Sequence, residues 1–125
     1  MSSDVAEVEK VLQVYFDGLY EGDTKKLGAA FHPMSHLYSV SADGKAADLR
    51  RADWFKFVEG RPSAKSKGGE RRDRVVSIDF SGPATAIAKV ECQLPPSYFT
   101  DYLTLMKADG RWQVISKTFY TVRKE

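Results

Sequence analysis

The spacing of apolar positions changes period partway along the chain. Val5, Val8, Leu12, Tyr15, Phe16 and Leu19 recur three and four residues apart, which puts them on one stripe and predicts an amphipathic helix over Asp4–Glu21. Ser2, Ser3 or Asp4 is placed to cap it by accepting from the free first-turn N–H groups, and Gly22 to stop it. Asp23 or Thr24 then opens a short second helix with Leu27, Ala30 and Phe31 inward, ended by Pro33. From His36 to Ser41 the period drops to two, Ala42-Asp43-Gly44-Lys45 reads as a turn, and a return strand runs to about Leu49. Arg51–Gly60 predicts a third helix, with Trp54, Phe55 and Val58 as its apolar patch, Phe57 on the flank and Asp53 near the favourable end of the dipole.

The remainder alternates. Strands are predicted at about Arg72–Phe80, Thr85–Leu94, Phe99–Lys107 and Arg111–Val122, with Ser81-Gly82-Pro83-Ala84 as a turn. Asp109-Gly110 predicts a tight hairpin, because a two-residue turn needs the positive φ that both residues tolerate. Pro95-Pro96 cannot donate ladder hydrogen bonds and marks a break at the sheet's rim. The even positions from Ala86 to Cys92 are small and apolar, the pattern of a concave inner face, where Cys92 acts as a small core hydrophobe. Arg61–Gly69 carries Pro62, Gly68, Gly69 and several Ser and Lys residues and reads as a mobile surface loop. Helices first and a curved antiparallel sheet after, within 125 residues, suggest one cup-shaped α+β domain with an interior pocket.

Composition narrows the function classes. Hydrophobic residues at 42% and aromatics at 12% supply a packed core rather than a disordered chain. No apolar run approaches the roughly 18–20 residues of a membrane span. Asp4, Glu7 and Glu9 break any signal-peptide pattern, so a cytoplasmic domain is expected. Cys92 is the only cysteine, which excludes an internal disulfide and a multi-cysteine metal site. The two histidines and scattered carboxylates lack ligand spacing, and no Gly-rich phosphate loop is present, so neither metal nor cofactor is expected. Positive charge gathers at Arg50, Arg51, Lys56, Arg61, Lys65, Lys67, Arg71, Arg72 and Arg74, diluted by Asp53, Glu59, Glu70 and Asp73. With few aromatics interleaved, that stretch reads as a solvated face and loop, not a nucleic-acid surface. If the loop overhangs the pocket it favours an anionic ligand.

Two groups of residues carry a resemblance. One is Val11-Leu12-Gln13-Val14-Tyr15-Phe16 through Glu21-Gly22-Asp23 to Leu27 and Phe31; the other is Asp101-Tyr102-Leu103-Thr104-Leu105 with Gly110-Arg111-Trp112, Ile115 and Phe119. Together they resemble the nuclear transport factor 2-like superfamily, and within it the SnoaL-like and lumazine-binding subgroup, over about Val5–Val122. The resemblance implies three helices on the concave face of a strongly curved sheet, homodimers commonly through the sheet's outer face, and a small apolar ligand in the cone's open end. It also implies unrelated activities on one scaffold, among them ketosteroid isomerase, scytalone dehydratase, limonene epoxide hydrolase and polyketide cyclases.

Tyr15 aligns with the isomerase tyrosine, but the position of the base falls on Ser39, with Tyr38 beside it. The second acid falls on Tyr102, or on Asp101 after a one-residue slip that would turn the side chain to the other face. Three readings follow. The leading one is a small-molecule-binding domain with no complete catalytic set, its apolar and aromatic pocket lined by Tyr15, Tyr38, Trp54, Val58, Cys92, Tyr102 and Phe119. The alternative is a cofactor-free isomerase, cyclase or dehydratase in which Tyr15 donates to an oxyanion and His36 or Asp101 moves the proton. The third is a protein-interaction module using the outer sheet face. Interior polarity separates the first two: an enzyme needs a carboxylate or histidine pointing inward within hydrogen-bond reach of a tyrosine. Expected partners are a small apolar or aromatic ligand and a second copy of the chain, with no nucleic acid and no membrane.

Overall fold

The computed structural model describes residues 3–124. Helices α1 (Ser3–Glu21), α2 (Thr24–Ala30) and α3 (Arg51–Glu59) cover one sheet made of β1 (Phe31–Val40), β2 (Ala46–Arg50), β3 (Arg72–Phe80), β4 (Thr85–Leu94), β5 (Ser97–Ala108) and β6 (Arg111–Arg123). Strand order is β2-β1-β6-β5-β4-β3, and of the five pairings only β1 with β6 is parallel. No helix among the described residues is long and apolar enough to cross a membrane.

The stripe on α1 buries Val8, Leu12, Tyr15 and Phe16 as its spacing requires, together with Gly18, but Val5 in the first turn stays exposed. Ser2 lies outside the described residues. Asp4 does not cap: its Oδ1 accepts from Trp112 Nε1 at 3.0 Å and from Lys107 Nζ at 3.2 Å, fastening the start of α1 to the β5–β6 hairpin. The Trp112 bond, then Lys107, holds the Asp4 carboxyl below the usual carboxylate range. Asp23 caps α2, accepting from the N–H groups of Lys25 and Lys26.

That helix ends earlier than Pro33 suggests. Phe31 is already extended at φ −109° and ψ 130°, so β1 starts there. Pro33 falls between Phe31 and His36, where the β1–β6 register shifts, and its missing N–H is tolerated at that irregularity.

The hairpins follow their turn chemistry. Asp109 and Gly110 take φ of 52° and 76° between the paired Ala108 and Arg111, as Asp-Gly predicts. Pro95 and Pro96 form the turn that joins β4 to β5, with Leu94 paired to Ser97. The inner face of β4 is Ala86, Ala88, Val90 and Cys92, all buried. On β6 an irregularity intervenes: Thr104 pairs with Ser116 but Leu105 pairs with Val114, so Ile115 is an extra residue, a bulge. Trp112 and Val114 face the core before it, and Lys117 and Phe119 do so after it.

Residues 61–69 are pinned to α1 rather than left as a free loop. Lys65 N–H donates to the Tyr20 carbonyl at 3.1 Å, and the Tyr20 hydroxyl donates to the Gly69 carbonyl at 2.8 Å. Just beyond, Arg71 bridges Asp17 at 2.9 Å and Asp73 at 2.5 Å.

Gly18 marks the closest approach of α1 and α2. A Cβ there would stand 3.0 Å from Leu27 Cδ2 and 3.1 Å from Leu27 N, and Leu27 is fully buried. Alanine would gain up to about 1 kcal/mol of helix propensity, but overpacking a fixed neighbour costs about 1–3 kcal/mol. Gly18→Ala is therefore expected to be net destabilising in urea denaturation followed by circular dichroism. Equal or greater stability would show that the two helices have room to separate.

Candidate functional site

Four elements aim polar groups at one point inside the cone. Tyr15 comes from α1, Cys92 from β4, Asp101 from β5 and Lys117 from β6. The Tyr15 hydroxyl donates to Asp101 Oδ2 at 2.5 Å. Cys92 Sγ stands 3.7 Å from the same oxygen, and Lys117 Nζ stands 3.9 Å from it. The other oxygen, Oδ1, is buried with no hydrogen-bond partner among the described residues. Tyr15, Cys92 and Asp101 are fully buried and Lys117 is 4% exposed. The Lys117 ammonium is also ringed by aromatic faces, 5.2 Å from the Tyr15 centroid, 5.0 Å from Trp54 and 4.8 Å from Phe119. Ring faces attract a cation, so four groups share in stabilising this buried charge.

Burial first, and then the Asp101 charge, push the Tyr15 phenol well above its ordinary value. Tyr15 is thus a proton donor throughout the neutral range. The same two causes push the Cys92 thiol up, which removes the thiolate needed for nucleophilic attack. An enclosed carboxylate with one free oxygen, a phenol donor and an ammonium alongside can accept or deliver a proton and can stabilise developing negative charge. Among the described residues no three His, Cys, Asp or Glu side chains are grouped to hold a metal ion.

The residues singled out from the sequence divide between two faces. Tyr15, Trp54, Cys92, Asp101 and Phe119 gather inside, around the buried charge pair. His36, Tyr38 and Tyr102 do not. His36 Nδ1 lies 2.6 Å from Asp48 Oδ1, and its ring stacks on Tyr38 at 6.0 Å, on the outer face. Tyr102 is 49% exposed beneath Lys89, since neighbours on a strand point opposite ways and Asp101 takes the inside. Lys117 escaped the sequence reading because plain alternation from Trp112 and Val114 turns it outward. The signal was Phe119, two residues on and expected inside, whose face Lys117 shares.

A cavity of about 420 Å³ lies among the C-terminal ends of α1 and α3, residues 61–69 and the β4–β5 turn. Its apolar lining includes Leu19, Val58, Leu94 and Phe99, and Arg61, Lys67 and Arg123 line it as well. Of the predicted pocket residues, only Val58 borders this space. The apolar lining relates simply to the cluster. Leu19 and Val58 follow Tyr15 and Trp54 by one helical turn, while Phe99 and Leu94 lie two residues from Asp101 and Cys92 on the same strand faces. The cavity floor is therefore one side-chain layer outward of the buried carboxylate.

Comparison with known proteins agrees with this architecture. The family model described as "Putative lumazine-binding" matches residues 3–120. The chain belongs to that family, within the nuclear transport factor 2-like superfamily. It is 28% identical over 122 residues to "Aldolase FrzH" of Cladobotryum sp, covering 96% of this chain and 93% of that protein. Among solved structures it is similar to an NTF2-like protein of unknown function from Methylobacillus flagellatus, with 27% identity, a TM-score of 0.84, and 98% and 94% of the two chains covered. It is also similar to one from Shewanella baltica, with 22% identity, a TM-score of 0.83, and 98% and 96% covered.

Two measurements check the cluster. Lys117→Met strips the carboxylate of its cation and is expected to cost about 3–5 kcal/mol in urea denaturation, and Asp101→Asn with Lys117→Met less than the sum of the single changes. Strict additivity would show that the two charges do not interact. Raised phenol and thiol values mean that the folded chain keeps protons the unfolded chain releases above about 9.0 for Cys92 and 10.0 for Tyr15. Stability should be full below pH 9 and fall as pH rises beyond it. Thermal melts from pH 8 to 11 should show a shallower fall in Tyr15→Phe/Cys92→Ala; parallel curves would refute that origin.

Proposed function

We propose that this chain binds a small apolar or aromatic carbonyl compound at the cone's mouth and transfers a proton on it without a cofactor. The single observation that carries this reading is Asp101, a fully buried carboxylate with one unpartnered oxygen, held at 2.5 Å by a tyrosine that keeps its proton. Asp101 Oδ1 removes a proton α to the carbonyl; once neutralised, the carboxyl gives up its bond from the Tyr15 hydroxyl, which turns to donate to the oxygen on which charge develops, with Lys117 adding positive charge nearby. Enolisation of this kind is the shared first step of isomerisation, cyclisation and aldol chemistry. The name of the Cladobotryum relative, an aldolase, supports the same class. His36 has no part in it, since Asp48 and the outer face occupy it.

A second reading, binding without turnover, is favoured by Leu19 and Phe99, which belong to the cavity lining on the approach to Asp101. Exchange in deuterated water distinguishes the two. Phenylacetone incubated with the protein is expected to exchange its α-protons faster than in buffer, as followed by proton NMR. Asp101→Asn should lower the protein-dependent rate by about 10²–10⁴-fold, and ligand binding should survive. Saturable binding with no exchange by the native chain would establish the binder instead.

We also propose a homodimer through the outer sheet face, where Tyr38, Val40, Tyr102 and Tyr120 are exposed. Val40→Glu/Tyr120→Glu should sediment as a monomer where the native chain sediments as a dimer. A native monomer at micromolar concentration would remove this proposal.

A further inference from the structure

The cavity's rim has one sign of charge. Arg61 and Lys67 come from the segment after α3 and Arg123 from the end of β6, three cations lining one space, and no Asp or Glu among the described residues lines it. This is a local imbalance in a chain whose basic and acidic residues nearly cancel, at 19 against 17. Around Arg61 and Lys67, the acids nearest in sequence among the described residues are engaged elsewhere. Glu59 accepts from Thr24 at 2.8 Å, Glu70 pairs with Arg72 at 3.0 Å, and Glu21 pairs with Lys26 at 2.8 Å. The rim is also held in place. Tyr20 binds both Lys65 and Gly69 of the cation-bearing segment, and Arg123 Nη1 donates to Ser97 Oγ at 3.3 Å across the hairpin mouth. Leu19, Val58, Leu94 and Phe99 give the same cavity an apolar side.

From this arrangement we infer that the cavity takes an amphipathic anion: a carboxylate seated on Arg61 and Lys67, with an apolar body laid against Leu19, Val58 and Phe99. The inference rests on the mouth cavity as the ligand site and names the class of ligand it selects. A guanidinium fork and an ammonium suit a carboxylate better than a hydroxyl, because charged hydrogen bonds are about twice as strong as neutral ones. The volume of about 420 Å³ lies within the size range of small-molecule sites. A charged head held at the rim leaves the apolar end pointing down toward Asp101. That orients the molecule and keeps its carboxylate away from the buried one, whose charge would repel it.

Isothermal titration with three probes of one shape tests this: 2-naphthoate, 2-naphthalenemethanol and 2-naphthylmethylamine. Naphthoate is expected to bind at least about tenfold tighter than the alcohol, with the amine weakest. The preference should shrink as salt is raised, because the rim is exposed. Arg61→Glu/Lys67→Glu should abolish the preference for naphthoate while the alcohol binds as before, which also shows that the variant is folded. Equal binding of naphthoate and alcohol would overturn the anion inference and leave the cavity as a ligand site. Binding of none of the three would overturn both. A naphthoate preference that survives the double charge reversal would overturn the assignment of its seat.

Discussion

The structure is organised around one buried carboxylate. Removing Asp101 from water is costly unless opposite charge and hydrogen bonds replace its hydration. The fold supplies these from every layer: a phenol from the first helix, a thiol from one neighbouring strand and an ammonium from the other, on the rung next to Phe119. The aromatic rings that surround Lys117 include Trp54 of α3, so the third helix is drawn into the same interaction. Core packing and site geometry are therefore a single problem. The groups that would carry out proton transfer are also among those that hold helices and sheet together.

Much of this was legible in the residues and some was not, for definite reasons. The α1 stripe, the Asp23 cap, the Asp109-Gly110 turn and the small inner face of β4 are local signals, and each appears as read except that Val5, at the start of the stripe, is exposed. The end of α2 was misread because Pro33 looks like a helix stop, whereas Phe31 had already gone extended to begin a strand. Which of Asp101 and Tyr102 faces inward depends on register, and register is fixed by pairing with distant strands rather than by either residue. His36 and Tyr38 were misplaced for the same reason. Their strand pairs with β2 and β6, and it is Leu37 that the pairing turns into the core.

The mouth shows how a segment rich in glycine, serine and lysine acquires a fixed shape. Its composition predicts mobility, yet Tyr20 grips it at two points and Arg71 ties its far end to α1 through Asp17. One helix thus carries Tyr15 in the interior, Leu19 on the cavity floor and Tyr20 against the rim, within less than two turns. Displacement of the rim segment bears directly on the helix that positions the phenol.

Ile115 has a consequence out of proportion to its chemistry. It is a half-buried residue with no part in the polar cluster, yet because the bulge leaves it out of the pairing, Lys117 and Phe119 look inward instead of Ser116 and Thr118. If the bulge were ironed out with Ile115 retained and paired to Thr104, Ser116 and Thr118 would take the inward places and hydroxyls would replace the ammonium inside the cone, with every side chain in the sequence unaltered. Whether the interior holds a cation is thus set by how the backbone of β6 is paired as well as by the residue that bears the charge.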